Sequence, residues 1–202
     1  MGEKPLKEMV RLLKKGVPFS SLHSIPQTAY LAPKGNVPKS NQWEDLRLAS
    51  YEECLESKRN QIENCRKVDI ECNKWFQRRV LQDVAEQTVV INPAYPPLEY
   101  GELDESFEYP YAREPHPRYK KRGNVPAFDM IKFSINTHRG CFGGCSFCAI
   151  NAHQGKFIAS RSRESILREV DLITKMDGFA GTITDLGGPS ANMYNMRGRD
   201  QS

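Results

Sequence analysis

The stretch Met130-Ile131-Lys132-Phe133-Ser134-Ile135-Asn136-Thr137-His138-Arg139-Gly140-Cys141-Phe142-Gly143-Gly144-Cys145-Ser146-Phe147-Cys148 decides how the chain is read. Residues 130–135 alternate in polarity and predict a strand. Directly after it come three cysteines at C-x3-C-x2-C spacing, interleaved with Gly140, Gly143 and Gly144. Glycines permit tight or positive-φ backbone, so such a loop can curl and turn its amides toward sulfide. Three thiolates on this spacing can grip three corners of an iron–sulfur cube. A simple electron-carrying cluster takes four cysteines, and no fourth lies nearby, which leaves one iron open to another ligand.

Downstream, Ser162 is a predicted N-cap for a helix reaching about Met176, with Ile166, Leu167, Val170 and Ile173 on one face and Asp177-Gly178 closing it. Thr182-Ile183-Thr184-Asp185-Leu186 predicts a second strand, ended by Gly187-Gly188-Pro189. Strand, loop, helix, strand is a βαβ unit, the opening of a parallel α/β sheet or barrel. Sites in such sheets gather at the C-terminal ends of strands, so the cysteine loop and the glycine pair can face one ligand. In isolation Gly187-Gly188 is a plain turn; in this position it is a backbone surface for an ammonium or carboxylate group. Phe147 suits a core or a ligand contact, and His138 and Arg139 suit cluster donors or ordinary core and surface roles. Zinc is the rival metal, with Cys141, Cys145, Cys148 and His153 as four ligands, although the spacing is not a usual finger pattern.

Upstream, residues 3–15 predict an amphipathic helix with Leu6, Met9, Val10, Leu12 and Leu13 as its stripe and Gly16 as C-cap. Four prolines between Val17 and Lys39 predict a connection or short edge strands. A long helix is expected from about Gln42 to about Phe76. It would carry Cys54, Cys65 and Cys72 on one face, roughly 16 and 10 Å apart and so too far for one metal. Val80-Leu81-Gln82 and Thr88-Val89-Val90-Ile91 predict two strands joined by a polar turn. Residues 99–123, with Tyr100, Tyr109, Tyr111 and Tyr119 among prolines, predict an extended arm on a surface.

Charged residues make up 27% and hydrophobic ones 39% of the 202, a globular balance with no apolar run long enough for a bilayer. A net charge of +4 is too mild to signal nucleic acid, and Lys120-Lys121-Arg122 reads as a solvated loop. With no apolar signal segment at the N-terminus, the expected location is cytoplasmic, where six cysteines favour metal binding or buried thiols over disulfides.

The cysteine spacing, with an aromatic residue before the third cysteine, resembles the radical S-adenosylmethionine (radical SAM) superfamily. Thr137 through Cys148-Ala149-Ile150, His153-Gln154-Gly155, Ser160-Arg161-Ser162 and Asp185 through Asn192 resemble the YgiQ-like family within it. So do Tyr109-Pro110-Tyr111 and His116-Pro117. The resemblance implies a 4Fe–4S cluster on Cys141, Cys145 and Cys148, whose open iron chelates the amino and carboxylate groups of S-adenosylmethionine. An electron from the reduced cluster, delivered by a flavodoxin- or ferredoxin-like donor, would cleave the cosubstrate to methionine and a 5′-deoxyadenosyl radical that abstracts hydrogen from an as yet unassigned substrate. Gly187 and Gly188 would contact the cosubstrate's amino group and Phe147 would lie near its adenine. The acidic residue usual after the glycine pair is replaced by Pro189-Ser190.

The implied fold is α/β, the opening βαβ unit of a partial (β/α)6 TIM-like barrel over 128–202. A helical and extended family-specific region over 1–127 precedes it. Too few residues follow Cys148 for about six βα units, so the expectation is a piece of a longer enzyme, inactive alone. The alternative from another class is a small iron–sulfur electron-transfer or Cys3His zinc module.

Overall fold

A computed structural model of the chain describes residues 2–188 and 191–197. The described residues divide into two units, one up to Pro96 and one from Pro97 onward. The first unit begins with α1 (Glu3–Lys14), closed as expected by Gly16 at φ 81°, whose N–H donates to Leu13 O. Its apolar stripe stays largely open, with Leu6, Val10 and Leu13 exposed.

The proline-rich segment supplies an edge strand, β1 (Ala29–Pro33), where a proline at the end costs no ladder bond. The long helix expected over 42–76 is instead β2 (Asp45–Arg47), α2 (Tyr51–Glu56) and α3 (Lys58–Cys72). Two serines cut it. Ser50 and Glu53 form a reciprocal capping box, with Oγ accepting Glu53 N–H at 3.1 Å and Glu53 Oε2 accepting Ser50 N–H at 2.7 Å. Ser57, at φ −136° and ψ 107°, leaves the helical region and caps α3. Cys54, Cys65 and Cys72 therefore do not line one face of one packed helix: Cys54 sits on α2, and Cys65 is exposed on α3.

The side chains that α3 does bury are polar, Asn64 and Glu71. Asn64 pairs with the Ala49 backbone as a strand would, accepting its N–H at 3.0 Å and donating to its C=O at 2.9 Å. Glu71 takes the Arg78 amide and guanidinium and the Lys74 ammonium. Burial pushes the Glu71 carboxyl up, and these hydrogen bonds overcome it and hold it at about 2.

β3 (Arg79–Val84) and β4 (Gln87–Ile91) form the expected hairpin, turning at Ala85-Glu86 with Ala85 at φ 50°. The sheet order is β1-β4-β3-β2, antiparallel except for the parallel β2–β3 pair. Ala32, Leu81 and Val90 form its core. Arg79, buried in the sheet, is satisfied by both Asp45 oxygens (2.7 and 3.0 Å) and by Pro38 O (2.9 Å).

The second unit starts with α4 (Tyr100–Phe107), where an extended arm was expected; Glu102 reaches back to the Glu99 N–H and fixes the first turn. Beyond it the chain is irregular apart from a 3-10 turn at Pro117–Tyr119. The strand expected over 130–135 is displaced. Pro126 opens a helix, α5 (Pro126–Ile131), which takes Met130 and Ile131, and β5 spans Ser134–Asn136.

β6 (His138–Arg139), α6 (Ile150–Gln154), β7 (Ala159–Ser160), α7 (Arg163–Ile173) and β8 (Asp185–Gly187) follow. Ser162 caps α7 by accepting the Ser165 N–H at 3.1 Å. β5 and β8 are parallel, pairing Ser134 with Asp185, Ile135 with Leu186 and Asn136 with Gly187. Phe133, Ile135 and Ile173 make the core between this pair and α7. A short antiparallel ribbon, β6 with β7, was not foreseen. The architecture is mixed α/β. No helix among the described residues is long and apolar enough to cross a membrane.

Candidate metal and cosubstrate site

The cysteine loop leaves the C-terminal end of β5 by way of Thr137 and β6. Its first residue, Gly140, has φ +94°, and a β-carbon there would stand 2.1 Å from Phe157 O. Only glycine fits this crossing. The loop entry is held by Gly140 N–H to Gln154 Oε1 (3.2 Å) and by Cys141 N–H to Gly155 O (3.0 Å). A second turn closes the far end, where Cys148 N–H donates to Cys145 O at 3.0 Å.

Cys141 is buried, Cys148 half-buried and Cys145 exposed, and none of the three is in a disulfide. A β-carbon on Gly143 would lie 3.4 Å from Cys141 Sγ, 3.7 Å from Cys145 Sγ and 3.9 Å from the Met193 methyl. Two sulfurs thus lie close to one glycine. His153 is on α6 and exposed. Among the described residues no three His, Cys, Asp or Glu side chains are gathered for a single metal ion. Phe147 projects from the loop with 90% of its surface exposed.

The other half of the site is the end of β8. Gly187 pairs across from Asn136, and its C=O accepts the Thr137 N–H at 2.8 Å. Gly187-Gly188 and the root of the cysteine loop therefore share one end of the parallel pair. Asn136 alternates with the core residue Ile135 and keeps a buried Oδ1 without a hydrogen-bond partner among the described residues. Pro189 and Ser190, where the acidic residue of the glycine motif is missing, lie outside the described residues.

Two residues carry more of this arrangement than the sequence announced. His138 is fully buried; burial pushes its pKa down, partly offset by a backbone hydrogen bond with Ala191. Its Nε2 accepts the Met193 N–H at 3.3 Å.

Arg161, 1% exposed, donates to Asn136 O (3.0 Å), to Ser165 O (3.0 Å) and to Glu169, and its guanidinium lies 4.2 Å from the centre of the Phe107 ring. It ties the end of β5 to the first turns of α7. Glu169 also takes Arg113 at 2.6 Å. A lone arginine between two serines reads as surface in a sequence, and only the long-range partners reveal it as core.

The family model described as Radical SAM N-terminal matches residues 1–134 of this chain, ending just before the cysteine loop. A UPF0313 protein of Porphyromonas gingivalis is 54% identical over all 202 residues, which cover 32% of that protein. One of Bacteroides thetaiotaomicron is 48% identical, with the whole chain matched to 34% of its length. One of Geobacter sulfurreducens is 40% identical, with 97% of this chain matched to 32% of that protein. The chain spans about a third of the length of these curated relatives. No solved structure matches it. With two-thirds of its residues under one family model and its whole length matched by two of these relatives, the chain belongs to the radical SAM N-terminal family, and within the superfamily to its YgiQ-like branch.

Proposed function

We propose that this chain is the cluster-bearing part of a radical SAM enzyme, with Cys141, Cys145 and Cys148 as ligands of a 4Fe–4S cluster. S-adenosylmethionine would bind beside it, against Gly187, Gly188 and Phe147. The observation that carries the reading is the closeness of the Cys141 and Cys145 sulfurs to one point beside Gly143, in a loop rooted beside the Gly187–Gly188 backbone. Gly143 leaves room beside the Cys141 and Cys145 sulfurs for a group held by both, and Asn136 Oδ1, without a hydrogen-bond partner among the described residues, offers an acceptor at the same strand ends.

When bound, the reduced cluster supplies the electron that cleaves the cosubstrate reductively and so starts hydrogen abstraction from substrate. The chain's own residues hold and orient. Gly140 and Gly155 clamp the loop entry, Cys141 is shielded from solvent and Cys145 is open to it. Gly187 and Gly188 present backbone in place of side chains, and Phe147, free of packing, is available to an adenine face.

Residues 128–202 are in this reading the opening βαβ unit of a (β/α)6 barrel, and 1–127 the region upstream of it. The enzyme would act in the cytoplasm with a flavodoxin- or ferredoxin-like electron donor. Electron paramagnetic resonance of the anaerobically reconstituted, reduced chain tests the reading. A cluster signal that changes on adding S-adenosylmethionine is expected. A signal indifferent to it points to an electron carrier, and zinc with no signal overturns the proposal.

A further inference from the structure

Glycine at position 188 is required by a neighbouring side chain and not by its own backbone, which is not among the positive-φ residues. A β-carbon there would stand 2.1 Å from Cε1, 2.2 Å from Nε2 and 2.9 Å from Nδ1 of His138. Any larger residue would collide with the imidazole. The ring itself has little room to yield: it is fully buried, Nε2 accepts the Met193 N–H, and Nδ1 stands 3.2 Å from Thr137 Oγ1. Thr137 in turn donates its N–H to Gly187 O.

Three backbones thus meet at one side chain: the turn from β5 into the cysteine loop, the Gly187–Gly188 pair, and the segment around Met193. That last segment returns to the cysteines, because the Met193 methyl lies 3.9 Å from the place a Gly143 β-carbon would take.

We infer that His138 is a positioning residue, whose buried ring seats Gly187 and Gly188 against the root of the cysteine loop so that their backbone can receive the aminoacyl end of S-adenosylmethionine. The inference rests on the proposed reading of the site. It assigns the ring a shape and one hydrogen-bond acceptor, with no proton transfer. It also explains why glycine follows the last residue of β8: Gly188 is the imprint of the imidazole.

A double-variant cycle tests it. In the anaerobically reconstituted, reduced chain, the S-adenosylmethionine concentration that half-converts the paramagnetic signal is measured for the unaltered chain, His138→Ala, Gly188→Ala and the two together, with iron per chain determined for each. Iron per chain should be the same in all four. The half-conversion concentration should rise about 10- to 100-fold in each single variant, as expected for a binding group shifted by roughly an ångström. In the double variant the new methyl occupies space that the ring has vacated, so the effect should be less than the product of the two.

His138→Phe keeps a buried ring and removes the acceptor for Met193 N–H. It should hold iron normally and still require more cosubstrate. Single variants that respond at the unaltered chain's concentration overturn the inference, and so does a double variant showing the full product. Loss of iron in both His138→Ala and His138→Phe would assign the ring to folding of the loop and overturn it as well. An unaltered chain whose cluster signal ignores S-adenosylmethionine refutes the proposed function and this inference together, whereas a responding chain with indifferent variants refutes the inference alone.

Discussion

Gly140→Ala should cripple the cysteine loop, and its cost can be worked from two separate sources. The position has φ +94°, a left-handed conformation in which a side chain costs about 1–2 kcal/mol. The new methyl would also stand 2.1 Å from Phe157 O and 2.9 Å from Phe157 C, atoms of the main chain that cannot rotate aside. Relieving the contact means moving one backbone by more than an ångström, an overpacking cost of about 1–3 kcal/mol. Together the loss is roughly 2–5 kcal/mol, concentrated where Gly140 N–H and Cys141 N–H are tied to Gln154 and Gly155.

Gly144→Ala is the control. Gly144 has φ +61° but nothing within 4 Å of an added β-carbon, so it carries the conformational cost alone, about 1 kcal/mol. The assay is thermal unfolding of the metal-free chain together with iron and sulfide per chain after reconstitution. At about 2–4 °C per kcal/mol for a chain of this size, Gly140→Ala should melt well below Gly144→Ala and retain less iron. Equal melting and equal iron in the two variants would refute the steric argument.

Three further outcomes follow from the packing. Glu71→Gln should cost about 3 kcal/mol at neutral pH, the difference between a carboxyl at about 2 and the ordinary 4.5. Because the folded value is lowered, that stability is fully present above pH 4.5 and is lost as pH falls through about 2; urea unfolding at several pH values should show wild type and variant converging in acid, and a gap independent of pH would sink the assignment. Ser162→Ala removes the hydroxyl that accepts Ser165 N–H and should cost about 1 kcal/mol in the denaturant midpoint, with Ser162→Thr largely neutral. Arg161→Met leaves Glu169 buried with only Arg113, and should destabilise by about 3 kcal/mol; adding Glu169→Leu should recover most of it, as an apolar replacement of a buried ion pair does. A double variant no more stable than the single one would count against the pair acting as a structural clip.

What was legible from the residues alone was what is encoded locally. The α7 cap at Ser162, the glycine that ends α1, the β3–β4 hairpin and the C-x3-C-x2-C loop each state themselves within a few residues, because their hydrogen bonds or turn conformations are satisfied within that span. Ser50 and Glu53 were legible too, as a serine with glutamate three residues on, but the periodicity of the longer stretch concealed them. Met130 and Ile131 were misread because alternation of polarity is weaker than the proline that starts α5 four residues earlier.

Other features were decided only when distant segments met. Asn64 closing on Ala49, Arg161 joining Asn136 to Glu169, and the His138 ring pressed against Gly188 all depend on partners 8 to 50 residues away. A buried polar side chain is stable only where such partners exist. Residue identity and spacing therefore determined which chemistry this chain can hold, and the tertiary fold decided which side chains stand behind it.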